Sequence, residues 1–133
     1  MTVIFVGGLG RNAQKAIKFP ELWKMVSISD IDDLVTLPEP PCVQIAGLGS
    51  RLTESVIRST NDICSHYILV KPFAFEKKDA LVDRCLSLIP SEREVFIFDN
   101  QSMADENSKL GIADFQKSLF EKIESKLQSL SVL

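Results

Sequence analysis

Short apolar runs recur along this chain, each broken off by glycine or by polar residues, and most are followed by a stretch patterned as a helix. TVIFV (2–6) stops at Gly7-Gly8, and the run from Met25 to Ser29 stops at the acidic DIDDL. CVQIAG (42–47) ends on glycine, HYILVK (66–71) ends at Pro72, and EVFIFD (94–99) runs into Asn100. Continuous rather than alternating apolar character marks strands buried on both faces. Helical spacing fits Arg11 to about Lys18, Leu52 to about Ile63, and Phe75 to Leu88, the last with Leu81, Val82, Cys85, Leu86 and Ile89 on one side. A final helix is predicted from about Ile112 to Leu130. Ile112, Phe115, Leu119, Ile123, Leu127 and Leu130 form its stripe, Phe120 lies beside that stripe, and Lys117, Glu121, Glu124 and Lys126 form a solvated face. The rigid LPEPP (37–41) is too short to separate domains.

Strands alternating with helices require right-handed crossovers and a parallel sheet covered on both sides. The expected fold is therefore α/β: a three-layer, Rossmann-like sandwich around a five-stranded, mostly parallel sheet. A chain of 133 residues suits one such domain. No apolar run approaches the roughly 20 residues of a membrane span, and the first residues lack the basic region of a signal peptide. A net charge of −3 gives no nucleic-acid footprint. Cys42, Cys64 and Cys85 are odd in number and form no CxxC pair, so they read as reduced, mostly buried thiols of a cytoplasmic protein.

Ligands of such folds sit beyond the carboxyl ends of the strands, which directs attention to five loops. GGLGRNA (7–13) places Gly7, Gly8 and Gly10 before the first helix, where backbone amides and the positive end of the helix dipole suit phosphate. AGLGSRLTES (46–55) is a second glycine turn before a helix, with Gly47, Gly49 and the capping candidates Ser50 and Thr53. Two such turns on adjacent strands can face one polyphosphate from both sides. Asp30 follows Gly8 by about 20 residues, the spacing of a ribose-binding acid; the same DIDDL also suits a helix cap and its acidic first turn. Asn100 offers an amide for a base edge, or an Asx turn closing its strand. Arg11, Arg51 and Lys71 are phosphate partners or exposed charges. His66 is the single histidine, and no triad or metal cluster around it is apparent in the sequence. Trp23 and Met25 read as core.

With these loops assembled, the chain resembles the nucleotide-binding domain of the FtsZ/tubulin cytoskeletal GTPases. VIFVGGLGRNA is similar to that family's first strand and glycine loop, V-G-G-G-G-G-N-A, with Gly7, Gly8, Gly10, Asn12 and Ala13 in place. VSISDIDDL resembles its second strand and the polar loop after it. VQIAGLGSRLTESV resembles the strand and signature loop A-G-x-G-G-G-T-G-T-G, reduced here to Gly47 and Gly49, with Arg51 and Leu52 where phosphate would lie. KPFAFEKK is similar to K-P-F-x-F-E-G, an elbow in which Phe73 and Phe75 pack and shield the edge of the site while Glu76 caps the next helix. VFIFDNQSM places Asn100 on the family's nucleotide-contacting asparagine, and IADFQKSLFEKI places Phe115 on the aromatic against guanine.

The resemblance implies a sheet in the order 2-1-3-4-5 and a minimal guanine-nucleotide (GTP or GDP) binder, weak or degenerate. Its site residues would be Gly7, Gly8, Gly10, Asn12, Asp30, Gly47, Gly49, Ser50, Phe73, Asn100 and Phe115. The family's catalytic acids lie on an Asn-x-Asp-x-x-Asp run, which this sequence lacks, and its second domain is not expected here. A regulatory or protein-interaction role is implied, through a homodimer or a filament-forming relative at the terminal helix. Two other readings stand beside it: a small dinucleotide-binding domain for NAD or NADP, since GLGRNA satisfies G-x-G-x-x-A, and a structural module whose glycine turns are only turns.

Overall fold

The computed structural model describes residues 2–7, 24–71, 78–99 and 121–129. Five strands, β1 (Thr2–Val6), β2 (Lys24–Ile28), β3 (Pro41–Gly47), β4 (His66–Lys71) and β5 (Glu94–Asp99), pair in parallel throughout, in the order β2-β1-β3-β4-β5. Helices α1 (Arg51–Thr60) and α2 (Lys78–Leu88) follow β3 and β4, and a last helix, α3, covers 121–129. The expected α/β class and strand order are found.

Period-two alternation sends each strand's side chains to two separate cores. Val3, Phe5, Val43, Ile45, Ile68 and Val70 point to one face, where Ile123 and Leu127 of α3 cover them. Ala46, Tyr67 and Leu69 point to the other, against Ile57 of α1, Val82 and Cys85 of α2, and Ile89 just after it. Ile4, Val6 and Ile28 complete that second face beneath Val56. Both faces being apolar explains why the strand sequences are continuous apolar runs.

Boundary differences have local causes. The second strand ends at Ile28 rather than Ser29, because the Ser29 amide donates to Asp33 Oδ2 at 2.9 Å and belongs to the following cap. The first described helix ends at Thr60 rather than near Ile63. There the Thr60 carbonyl accepts the amides of Ile63 and Cys64, turning the chain towards β4 and leaving Ile63 45% exposed. Pro41 belongs to β3 rather than to the connector. As its first residue it has no N–H to donate, and the register slips between Thr2 and Val3 beside it. Leu86, expected on the buried stripe of its helix, is 37% exposed. Lys126, expected on a solvated face, is half-buried with its Nζ 3.5 Å from the centre of the Phe96 ring. The predicted helix after β1, Trp23, the stripe residues Ile112, Phe115, Leu119 and Leu130, and Phe120 beside them lie outside the described residues. Met25 packs half-buried against the core, as expected. No helix among the described residues is long and apolar enough to cross a membrane.

One polar cluster interrupts the apolar interior. Fully buried Gln44 accepts a hydrogen bond from Thr60 Oγ1 at 2.9 Å, and Tyr67 Oη donates to the Thr60 carbonyl at 2.9 Å. The Gln44 Nε2 has no partner among the described residues. Thr60→Val removes the only described partner of the buried amide and should cost about 1–3 kcal/mol. Gln44→Met combined with Thr60→Val removes both polar ends and should recover most of that loss in urea denaturation.

Burial also holds protons on this layer. It pushes the Cys64 thiol up to about 12, Tyr67 to about 12 and Cys85 to about 11. These folded-state values exceed the unfolded ones, so the native state keeps protons that the unfolded chain releases. The associated stability is complete below pH 9 and falls as pH rises towards 12. Denaturation midpoints followed across that range should therefore decline on the alkaline side.

Candidate functional site

In a sheet ordered 2-1-3-4-5, the strand order reverses direction between β1 and β3, which makes their carboxyl ends the topological switch point where ligands of open parallel sheets sit. Gly7 and Gly47 stand at those two ends. Gly7 has φ +90°, and a Cβ built on it would lie 2.7 Å from the Gly47 carbonyl oxygen. Any other residue there meets both a disfavoured backbone conformation and a rigid neighbour.

The same carbonyl accepts a hydrogen bond from Thr53 Oγ1 at 2.8 Å, which ties the first turn of α1 back to the end of β3. The Leu48 amide donates to the Val70 carbonyl at 3.0 Å and anchors the turn to β4. Gly49 then takes φ +106°, with nothing within 4 Å of where its Cβ would be. Here conformation alone calls for glycine, and the space above the backbone is open. Ser50 caps α1, its hydroxyl oxygen accepting from the Leu52 amide at 3.2 Å. Of the two capping candidates Ser50 performs the cap, while Thr53 holds the turn.

A cleft of about 230 Å³ continues from this turn between α1 and α2, lined by Ser50, Arg51, Glu54, Leu81, Arg84 and Cys85 among others. Across it Arg84 grips Glu54 with two contacts of 2.9 Å, Nε to Oε1 and Nη2 to Oε2. The Cys85 thiol is raised to about 11 by burial, reinforced by the nearby Glu54 charge, so it is protonated at neutral pH and no nucleophile.

Asp30 lies beyond β2, on the other side of β1. It is the N-cap of a 3-10 turn, Ile31–Leu34, its Oδ1 accepting from the Asp32 amide at 2.9 Å while Asp33 Oδ2 accepts from the Asp30 amide at 3.0 Å. The capping half of the two sequence readings is thus seen directly. The structure brings Gly7, Gly47, Gly49 and Ser50 together and sets Asp30 on the same edge of the sheet. Gly8, Gly10, Asn12, Phe73, Asn100 and Phe115 lie outside the described residues, as do Arg11, Phe75 and Glu76.

Sequence reasoning missed two groupings. At the opposite, amino-terminal end of the sheet, His66 Nδ1 is 2.8 Å from Ser65 Oγ and His66 Nε2 is 3.2 Å from Glu94 Oε2. Parallel pairing places His66 directly opposite Glu94, a neighbourhood that aligning the two strand starts would have revealed. Ser65 also sits within reach of the Cys42 carbonyl, at 3.2 Å, and its own carbonyl accepts the Glu94 amide at 3.1 Å, so the trio reads as a clasp on the strand starts. The Arg84–Glu54 pair spans two helices, and nothing in the local pattern of either announces it. No group of three or more metal-ligating side chains occurs among the described residues.

Comparison with protein-family models, curated proteins and solved structures finds no match to this chain. The two glycines can be told apart by experiment. Gly7→Ala combines strain with a backbone clash and should cost roughly 2–5 kcal/mol. Gly49→Ala adds strain alone and should cost about 1–3 kcal/mol. Equal losses in chemical denaturation would contradict these separate roles.

Proposed function

We propose that the chain is a minimal guanine-nucleotide binder, taking GTP or GDP across the carboxyl ends of β1 and β3, with a regulatory or protein-interaction role towards a second copy or a filament-forming relative. The observation that carries this reading is Gly49: a left-handed glycine with open space above it, immediately before a capped helix, at the switch point of a parallel sheet. A phosphate seated there would meet the first-turn amides of α1 and the positive end of its dipole. Ser50 would turn its hydroxyl proton to a phosphate oxygen while its lone pair keeps the Leu52 amide. Gly7 supports the site indirectly, by letting the two turns approach. Gly8, Gly10 and Asn12 would complete the phosphate side, and Phe73, Asn100 and Phe115 the base side, on the resemblance to the FtsZ/tubulin family.

The dinucleotide reading is the alternative. Its acid is Asp30, whose Oδ1 is engaged in a local cap, and this weighs towards the mononucleotide. A ligand-free structural module is the third reading.

Melting in the presence of GTP, GDP, NAD and NADP separates them. A guanine nucleotide at 100 times its dissociation constant should add about 2.7 kcal/mol of stability, with NAD and NADP giving none. A shift with NAD alone would favour the alternative, and no shift with any of the four would leave the module. GTP incubated with the protein should release no phosphate above background at any protein concentration, since the sequence holds no Asn-x-Asp-x-x-Asp run. Turnover that rises with protein concentration would contradict this.

A further inference from the structure

We propose that the outer edge of β5, unpaired among the described residues, pairs with β5 of a second copy, in antiparallel register about Ile97, to give a two-fold dimer with one continuous sheet. β5 is the last strand in the sheet order and has β4 as its single described neighbour. The Glu94 amide donates inward, to the Ser65 carbonyl at 3.1 Å. Backbone direction alternates along a strand, so the N–H and C=O groups of Val95, Ile97 and Asp99 point outward, away from β4.

Natural edges are usually guarded by lysine, proline or a bulge. The other edge strand, β2, opens on exposed Lys24 and turns away into the Asp30 cap. β5 reads EVFIFD, pairs with β4 without a register slip, and leaves Ile97 44% exposed. It carries none of those guards.

The pattern of β5 is self-complementary in one particular register. Residues opposite each other in an antiparallel pair must project to the same face. Setting Glu94 against Asp99 would place Phe96 opposite Ile97, on opposite faces, so acid-against-acid pairing is excluded. Setting Ile97 against itself places Phe96 opposite Phe98 twice and Val95 opposite Asp99 twice. Every outward backbone group of the strand then has a partner. Phe96 and Phe98 belong to the α3 face, so the two copies would join four phenylalanines there, beside Lys126 lying over Phe96. Cross-strand aromatic pairs are among the more stabilising in sheets. An isologous contact of this kind closes on itself, giving a dimer rather than a fibre.

This interface does not depend on nucleotide, so a chain that binds none can still dimerise. The test uses the full chain. Sedimentation equilibrium should show a dimer for the wild type and a folded monomer for Ile97→Lys, which sets two like charges face to face at a position already half in solvent. Ile97→Cys is the second variant: a hydrogen-bonded pair brings the two Cα atoms to about 5.5 Å, within the roughly 4.4–6.8 Å that a disulfide spans. Under mild oxidation it should cross-link to a covalent dimer, while Leu86→Cys, on the exposed flank of α2, and the wild type should not. A monomeric wild type at high concentration would overturn the proposal. So would a dimer that survives Ile97→Lys, or cross-linking of Leu86→Cys as efficient as that of Ile97→Cys.

Discussion

The close approach of Gly7 to the Gly47 carbonyl sets the geometry at the carboxyl ends of β1 and β3. A Cβ on Gly7 would lie 2.7 Å from that oxygen, so the two strand ends keep their spacing because this residue is glycine. The carbonyl is held in turn by Thr53, so the end of β3, the turn and the start of α1 act as one unit. Gly49 and the Ser50 cap inherit their positions from that unit.

The chain divides its two ends by chemistry. At the carboxyl end of the sheet stand glycines, a helix start and a cleft bridged by Arg84 and Glu54. At the amino end the strand starts are tied by Ser65, His66 and Glu94 and by Thr2, whose hydroxyl donates to Glu39 at 2.7 Å and holds that carboxyl below its usual range. Between them the sheet is sealed on both faces. The buried thiols and Tyr67 are all held protonated by desolvation, which suits core residues rather than reactive ones.

The fold was legible because strands buried on both faces leave continuous apolar runs, and TVIFV, HYILVK and EVFIFD have their sequence-read boundaries in the structure. Alternation with helices implied parallel pairing, but by itself it does not say which strands are neighbours. What sequence could not supply was the pairing of side chains across elements. Arg84 finds Glu54 thirty residues away, and Lys126 lies over a ring on β5 instead of in solvent, because helix packing angles rather than helical period set those neighbours. Asp30 had two readings of equal merit in sequence, since an acid at the end of a strand has the same spacing whether it caps a turn or holds a ribose. For the candidate site, glycine positions were readable but their division of labour was not: a steric contact and a left-handed turn look identical as letters.

The central claim is that nucleotide phosphate seats on the second glycine turn. Amide chemical shifts of the isotopically labelled full chain, followed by NMR during titration with GDP, address it most directly. The account predicts saturable changes at Gly49, Ser50, Arg51 and Leu52, with smaller ones at Gly7 and Gly47 and none at His66 and Glu94 at the far end of the sheet. Changes confined to the far end, or a spectrum unaltered by excess GDP, would contradict it.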